Sequence, residues 1–164
     1  MNQPSAAACG APGPDAHPTM ADRGWLAVAC RLAAEHPVEG AGLAAGVVVV
    51  ADDGTELARG HARGDSRAHA EEVAFGALST TETRLSGATV YSSLAPCAQR
   101  SGDARPCAEL IRDAGVRRVV TALRDPAGAV SAGDGVKLLE SAGVTVIELP
   151  EYARAAMKPN RHDP

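Results

Sequence analysis

Four residues in this chain have the types and spacing to do chemistry together. His69 and Glu71 stand as His-Ala-Glu, and Cys97 and Cys107 each follow a proline. Catalytic zinc takes three protein ligands from His, Cys or carboxylate and leaves a fourth position for water. His69, Cys97 and Cys107 supply three, with the Glu71 carboxylate two residues from one of them. Bound thiolates need positive surroundings. Pro106 is a favoured first-turn residue, which puts Cys107 at a helix start, where free N–H groups and the helix dipole favour negative charge. A purely structural zinc wants four protein ligands. The only nearby fourth donors are Glu71 and His61, and His61 falls on a strand or its exit. Singly, a His, a His-x-Glu or a Cys is commonplace. The reading rests on their joint placement at the openings of two helices and the end of one strand.

The chemistry implied is hydrolytic. A zinc ion in such a set activates a water at neutral pH. Glu71 then has the role of proton shuttle, moving the water's proton to a ring nitrogen and to a departing amine. This is the H-x-E…P-C-x-x-C arrangement of zinc deaminases, in which the Glu is not a ligand. Here nine residues, not two, separate the cysteines.

Positioning these residues requires a sheet and its helices. Residues 1–19 are rich in Ala, Pro and Gly without periodicity and read as a disordered tail. A single domain is expected over 20–157, with a frayed end at 158–164. Asp22 is expected to cap a first helix carrying Trp25, Leu26, Ala29, Cys30 and Leu32, ended by Pro37 and Gly40. Cys30 then reads as a buried small hydrophobe. The apolar run at 44–51 predicts a strand buried on both faces. Asp53-Gly54 is a hairpin signal, and 55–62 returns as a more polar strand nearer an edge. Asp65 or Ser66 opens a second helix over 68–78, with His69 and Glu71 in its first turn. Strands follow at 88–93, 117–123 and 144–149. Between them lie a helix from Pro106 to Ala114, closed by Gly115, and another at 135–142, with a turn at Asp125-Pro126 and Gly128. Helical crossovers join parallel strands. The expected fold is therefore α/β: a three-layer α-β-α sandwich around a mixed five-stranded sheet. Its first two strands form an antiparallel hairpin, and its last strands run parallel.

Composition narrows the partners. The 164 residues carry a formal charge of −4 and only 2% aromatic residues. Such a chain lacks the positive face that phosphate backbones need and the rings on which exposed bases stack, so no nucleic-acid partner is expected. No membrane-spanning run and no signal segment is recognisable. The four cysteines are too few for a disulfide scaffold in a chain this long. A reduced, cytoplasmic protein is expected.

Taken together, His69-Ala70-Glu71, Leu94-Ala95-Pro96-Cys97, Arg105-Pro106-Cys107-Ala108, Ala114-Gly115-Val116-Arg117-Arg118-Val119-Val120 and Gly133-Asp134-Gly135-Val136 resemble the cytidine-deaminase-like superfamily. Within it, the similarity is greatest to the pyrimidine deaminase domain of bacterial riboflavin biosynthesis, over about residues 25–149. The resemblance implies zinc ligands at His69, Cys97 and Cys107, a shuttle at Glu71, and a homodimer or higher homo-oligomer. The departures from that domain fall on positions that touch substrate. Its Asn-Pro ahead of the first strand becomes Gly42-Leu43, and its Leu-Glu-Pro-Cys becomes Leu94-Ala95-Pro96-Cys97. Its Asp-Pro-Asn-Pro turn becomes Asp125-Pro126-Ala127-Gly128, and the inter-cysteine loop is one residue longer. A site that loses such polar groups changes its substrate. Substrate contacts are expected at Gly42, Ala95, Gln99, Arg100 and Arg105, the two arginines read either as a phosphate hold or as solvated loop charges. The expected substrate is a small aminated heterocycle. The alternatives are the riboflavin-pathway pyrimidine itself, or a non-catalytic ligand-binding protein on the same scaffold.

Overall fold

The computed structural model describes residues 16–36, 42–63, 67–100, 102–124 and 132–161. Pro37, Gly40, Asp65, Ser66, Asp125, Pro126 and Gly128, each of which carried an expectation above, lie outside them, as does most of the tail.

The order of elements is α1 (Met20–Glu35), β1 (Gly46–Val50), β2 (Glu56–His61), α2 (Ala70–Gly76), β3 (Thr89–Ser92), α3 (Cys107–Asp113), β4 (Arg118–Thr121), α4 (Ala132–Ser141), β5 (Thr145–Glu148) and α5 (Ala153–Met157). The five strands form one sheet in the order β2-β1-β3-β4-β5. β1 is antiparallel to both β2 and β3, whereas β3, β4 and β5 run parallel through the α3 and α4 crossovers. The mixed sheet and its hairpin are as the sequence predicts.

β1 explains the layering. Its side chains alternate between faces, as strand geometry demands. Val47 and Val49 join a core built with Ala70 and Ala74 of α2, Ala108 and Ile111 of α3, and Val136 and Leu139 of α4. Val48 and Val50 face the opposite core, made with Leu26, Ala29 and Cys30 of α1 and Ala156 of α5. Cys30 is buried as expected, and burial pushes its thiol up to about 11.

Three local readings are corrected. Thr19, not Asp22, caps α1; Asp22 is three residues further on and completes a capping box, its carboxylate accepting the Thr19 N–H at 2.7 Å. The second helix is shorter than predicted, Ala70–Gly76, with His69 as its N-cap rather than inside its first turn. Residues 158–160, expected to fray, form a 3-10 turn, and the Asn160 side chain pairs with both the N–H and the carbonyl of Ala44, at 2.6 and 2.9 Å.

Asp22 also ties α1 to the sheet. It is 2% exposed and accepts hydrogen bonds from Tyr91 Oη (2.8 Å) on β3 and from both Nη atoms of Arg118 (2.7 and 2.8 Å) on β4. Burial pushes this carboxyl up. The Arg118 guanidinium, the Thr19 N–H and the Tyr91 hydroxyl outweigh it and hold the group down at about 2.

Candidate functional site

Three chain segments converge at one end of the sheet. The first is the start of α2. Gly60 of β2 allows α2 to lie against the sheet edge: a Cβ there would overlap the Ala70 carbonyl and come within 3.0 Å of Val73 Cβ. The second is the exit of β3. There Ser93 exchanges hydrogen bonds with Gly46, and the Ala95 N–H donates to the Leu123 carbonyl at 3.0 Å, which anchors the backbone just ahead of Pro96 and Cys97. The third is the start of α3, where Pro106 is the N-cap and Cys107 the first helical residue. The Ala108 N–H donates to the Cys97 carbonyl at 3.0 Å, so the two cysteine-bearing segments are joined through backbone.

His69 Nδ1 lies 3.3 Å from Cys107 Sγ and 3.6 Å from Cys97 Sγ. The three ligand atoms lie within 4.8 Å of one another. Zinc bonds of about 2.3 Å to sulfur and about 2.0 Å to nitrogen, at tetrahedral angles, place N and S about 3.5 Å apart. The imidazole–thiol distances fit that figure, and two sulfurs with one imidazole are a donor set suited to zinc. His61, the sequence's alternative fourth donor, is not in this cluster; its ring stacks on His36 with centroids 3.6 Å apart.

The electrostatics follow from crowding. The Cys97 thiol is pulled down, first by its contact with the Cys107 thiol, with burial opposing and His69 assisting. The Cys107 backbone N–H, at the helix start, points at Cys97 Sγ at 3.5 Å. Cys107 itself is pushed up by the same contact and by full burial. His69 is raised, chiefly by Cys97. Glu71, 5% exposed, is raised above the usual carboxylate range by burial. A buried carboxyl beside a metal site, its pKa raised by burial, is the kind of group that general acid–base chemistry uses.

Three contributors were not read from the sequence. Ser92, fully buried, places Oγ 3.4 Å from Glu71 Oε1 and donates to the Leu94 carbonyl at 2.5 Å. Glu72 accepts the His69 N–H at 2.8 Å. Gly135 of α4 abuts the Pro96-Cys97 backbone: an added Cβ would overlap the Pro96 carbonyl oxygen and sit 3.1 Å from the Cys97 carbonyl carbon. The second carboxylate of His-Ala-Glu-Glu and the Gly133-Asp134-Gly135 motif were visible signals, but the role of neither was read from them.

The expected substrate contacts scatter. Gly42 is exposed ahead of β1, and Ala95 is packed into the core beside α2 and α3. Gln99 is exposed. Arg100 is paired with Glu72, and Arg105 with Asp113 on α3. Neither arginine is a free loop charge.

Comparison with known proteins agrees with this geometry. The family described as the cytidine and deoxycytidylate deaminase zinc-binding region matches residues 20–123. The riboflavin biosynthesis protein RibD of Escherichia coli (strain K12) is 33% identical over 132 residues, 77% of this chain and 33% of that protein. RibD of Bacillus amyloliquefaciens is 42% identical over 79 residues, 48% of this chain and 20% of that protein. The chain thus spans at most about a third of these curated relatives. Among solved structures, Acinetobacter baumannii RibD (form 2) superposes with a TM-score of 0.72 at 33% identity, covering 85% of this chain and 38% of that one. The dCMP deaminase of cyanophage S-TIM5, at 20% identity and a TM-score of 0.61 over 81% of this chain and all (100%) of that one, shares the fold.

Proposed function

From the premise that this chain belongs to the cytidine and deoxycytidylate deaminase zinc-binding family, whose members are zinc-dependent hydrolases, we propose that it deaminates a small aminated heterocycle of pyrimidine type. One observation carries this: His69, Cys97 and Cys107 converge with a buried carboxyl, Glu71, beside them. Zinc, when bound, supplies an activated water. His69 and the two cysteines would hold it. Glu71 holds and moves the proton, the Ser92 hydroxyl lies beside its carboxyl, and the buried start of β1 and exit of β3 exclude water from the shuttle.

The substrate pocket, in this reading, departs from that of the riboflavin-pathway relatives. Arg100 and Arg105 are each committed to a carboxylate, which supports a substrate gripped without those two cations. The second reading is the riboflavin-pathway pyrimidine itself. It is favoured by the solved Thermotoga maritima protein titled diaminohydroxyphosphoribosylaminopyrimidine deaminase/5-amino-6-(5-phosphoribosylamino)uracil reductase, which superposes with a TM-score of 0.71 at 29% identity over 85% of this chain and 39% of that one. The protein in this proposal is a cytoplasmic homo-oligomer; no described helix is long and apolar enough to cross a membrane.

Ammonia release across aminated pyrimidines, purines, their nucleotides and the riboflavin-pathway intermediate separates the readings. Glu71→Ala should keep one zinc per chain and abolish release from whichever substrate is active, a loss of at least 10²-fold. Unchanged turnover in that variant would refute the assigned mechanism, and tight binding without release across the panel would favour a binding protein instead.

A further inference from the structure

Arg100 sits three residues beyond Cys97, yet it reaches back to the segment that carries His69. Its side chain is only 10% exposed. Nη1 lies 2.7 Å from Glu72 Oε2, off the line of its N–H bonds, so the contact is a charge pair more than an aligned hydrogen bond. Nη2 donates to the Arg67 carbonyl at 3.0 Å. The same Glu72 oxygen accepts the His69 backbone N–H at 2.8 Å. One guanidinium therefore grips the turn before His69 and the carboxylate after it. Arg67 has φ +53°, the only left-handed non-glycine residue among those described. Such a conformation persists where surrounding contacts hold it, and the Arg100 hydrogen bond to the Arg67 carbonyl is such a contact.

We propose that Arg100 and Glu72 form a latch that sets His69 against Cys97, making both of them positioning residues for the metal site. The inference rests on the reading of His69, Cys97 and Cys107 as zinc ligands. Its physical basis is direct. His69 is the N-cap of α2 and gets no hold from its own helix beyond the cap itself. Cys97 stands in a loop outside any helix or strand. The Arg100–Glu72 pair is a side-chain link between these two segments that does not pass through the ligand atoms. Outer-shell partners that orient ligands in this way change metal affinity on mutation by about 10- to 100-fold.

The test is zinc affinity of the full chain, measured by competition with a chromophoric chelator. Arg100→Ala and Glu72→Gln should each weaken zinc binding by about 10- to 100-fold, and the double variant should be no weaker than the worse single, because the two act as one unit. Arg100→Lys keeps the charge but not the fork geometry and should recover part of the affinity, which also guards against Arg100→Ala failing to fold. As a control, Arg59→Ala removes an exposed ion pair with Glu56 on β2 and should leave zinc affinity within about twofold. Unchanged zinc affinity in Arg100→Ala and Glu72→Gln, or independent, additive losses in the double variant, would overturn the latch while leaving the deaminase reading intact. Failure of the wild-type chain to bind zinc would overturn both.

Discussion

Replacing Asp22 by Asn tests whether the buried carboxylate network under α1 contributes stability through its charge. Asp22 titrates at about 2 in the folded protein against an ordinary 3.8. The difference is a little under two pH units, and each unit is worth 1.36 kcal/mol, so the folded-state preference is about 2 kcal/mol. The pKa is depressed, so this stability is fully present above the unfolded value, near pH 4, and is lost as pH falls through about 2. Asn cannot titrate. It also leaves the Arg118 guanidinium, 14% exposed, facing a neutral amide, and removing one member of such a pair costs about 3–5 kcal/mol when it is fully buried. At pH 7 the variant should therefore be less stable by about 2–4 kcal/mol. The gap should narrow by about 2 kcal/mol between pH 5 and pH 2, because other carboxylates titrate in both proteins and cancel. Trp25, the sole tryptophan, sits 6.5 Å centroid to centroid from Tyr91, so urea unfolding followed by its fluorescence reads the neighbourhood concerned. A stability difference that stays constant from pH 5 to pH 2 would show that the network acts by shape and hydrogen bonding alone.

Other outcomes follow from the site. Gly135→Ala should cost about 1–3 kcal/mol by overpacking and weaken zinc binding, since relief must displace either α4 or the Pro96-Cys97 backbone; exposed Lys137→Ala on the same helix should stay within about 0.5 kcal/mol in the same urea and zinc titrations. Ser92→Ala should lower kcat about fivefold, the equivalent of one hydrogen bond of about 1 kcal/mol, with zinc stoichiometry unchanged by elemental analysis. Metal ligands must be deprotonated to bind, and His69 is raised from 6.5. The Cys107 thiol, also pushed up, must lose its proton as well, so chelator-competition titrations should show zinc affinity falling on acidification from pH 8 to pH 5, and His69→Ala should make that fall shallower; an equally steep profile in His69→Ala would exclude His69 as a ligand.

The metal cluster was legible in the sequence because its information is chemical. Two cysteines behind prolines and a His-x-Glu need no tertiary knowledge to suggest zinc. The sheet was legible because Val47–Val50 admits only a two-sided burial and because glycines and prolines punctuate the crossovers. The errors have a common origin. Thr19 and Asp22 are both good caps three residues apart, and local pattern cannot rank them once the capping box uses both. The partners of Arg100 and Arg105 come from α2 and α3, so no stretch of the loop itself could show that its charges are neutralised. Asn160 lies 116 residues from Ala44, and Gly135 matters only through what packs against it. Pairings across the fold, unlike spacings along it, leave no periodic trace.

The segment between the two cysteines has its ends tied together. Backbone hydrogen bonding from Ala108 to Cys97 and the Cys107 N–H aimed at Cys97 Sγ close it at its base. A loop fastened in this way can change length at little thermodynamic expense, since doubling it adds only about 0.6 kcal/mol of closure entropy. It is therefore a natural grafting port. Exchanging residues 98–106 for loops of other lengths and compositions, with Arg100 or an equivalent latch retained, should yield a series of chimaeras sharing one metal-holding frame. In such a series, changes in what is accepted as substrate become separable from changes in the reaction itself.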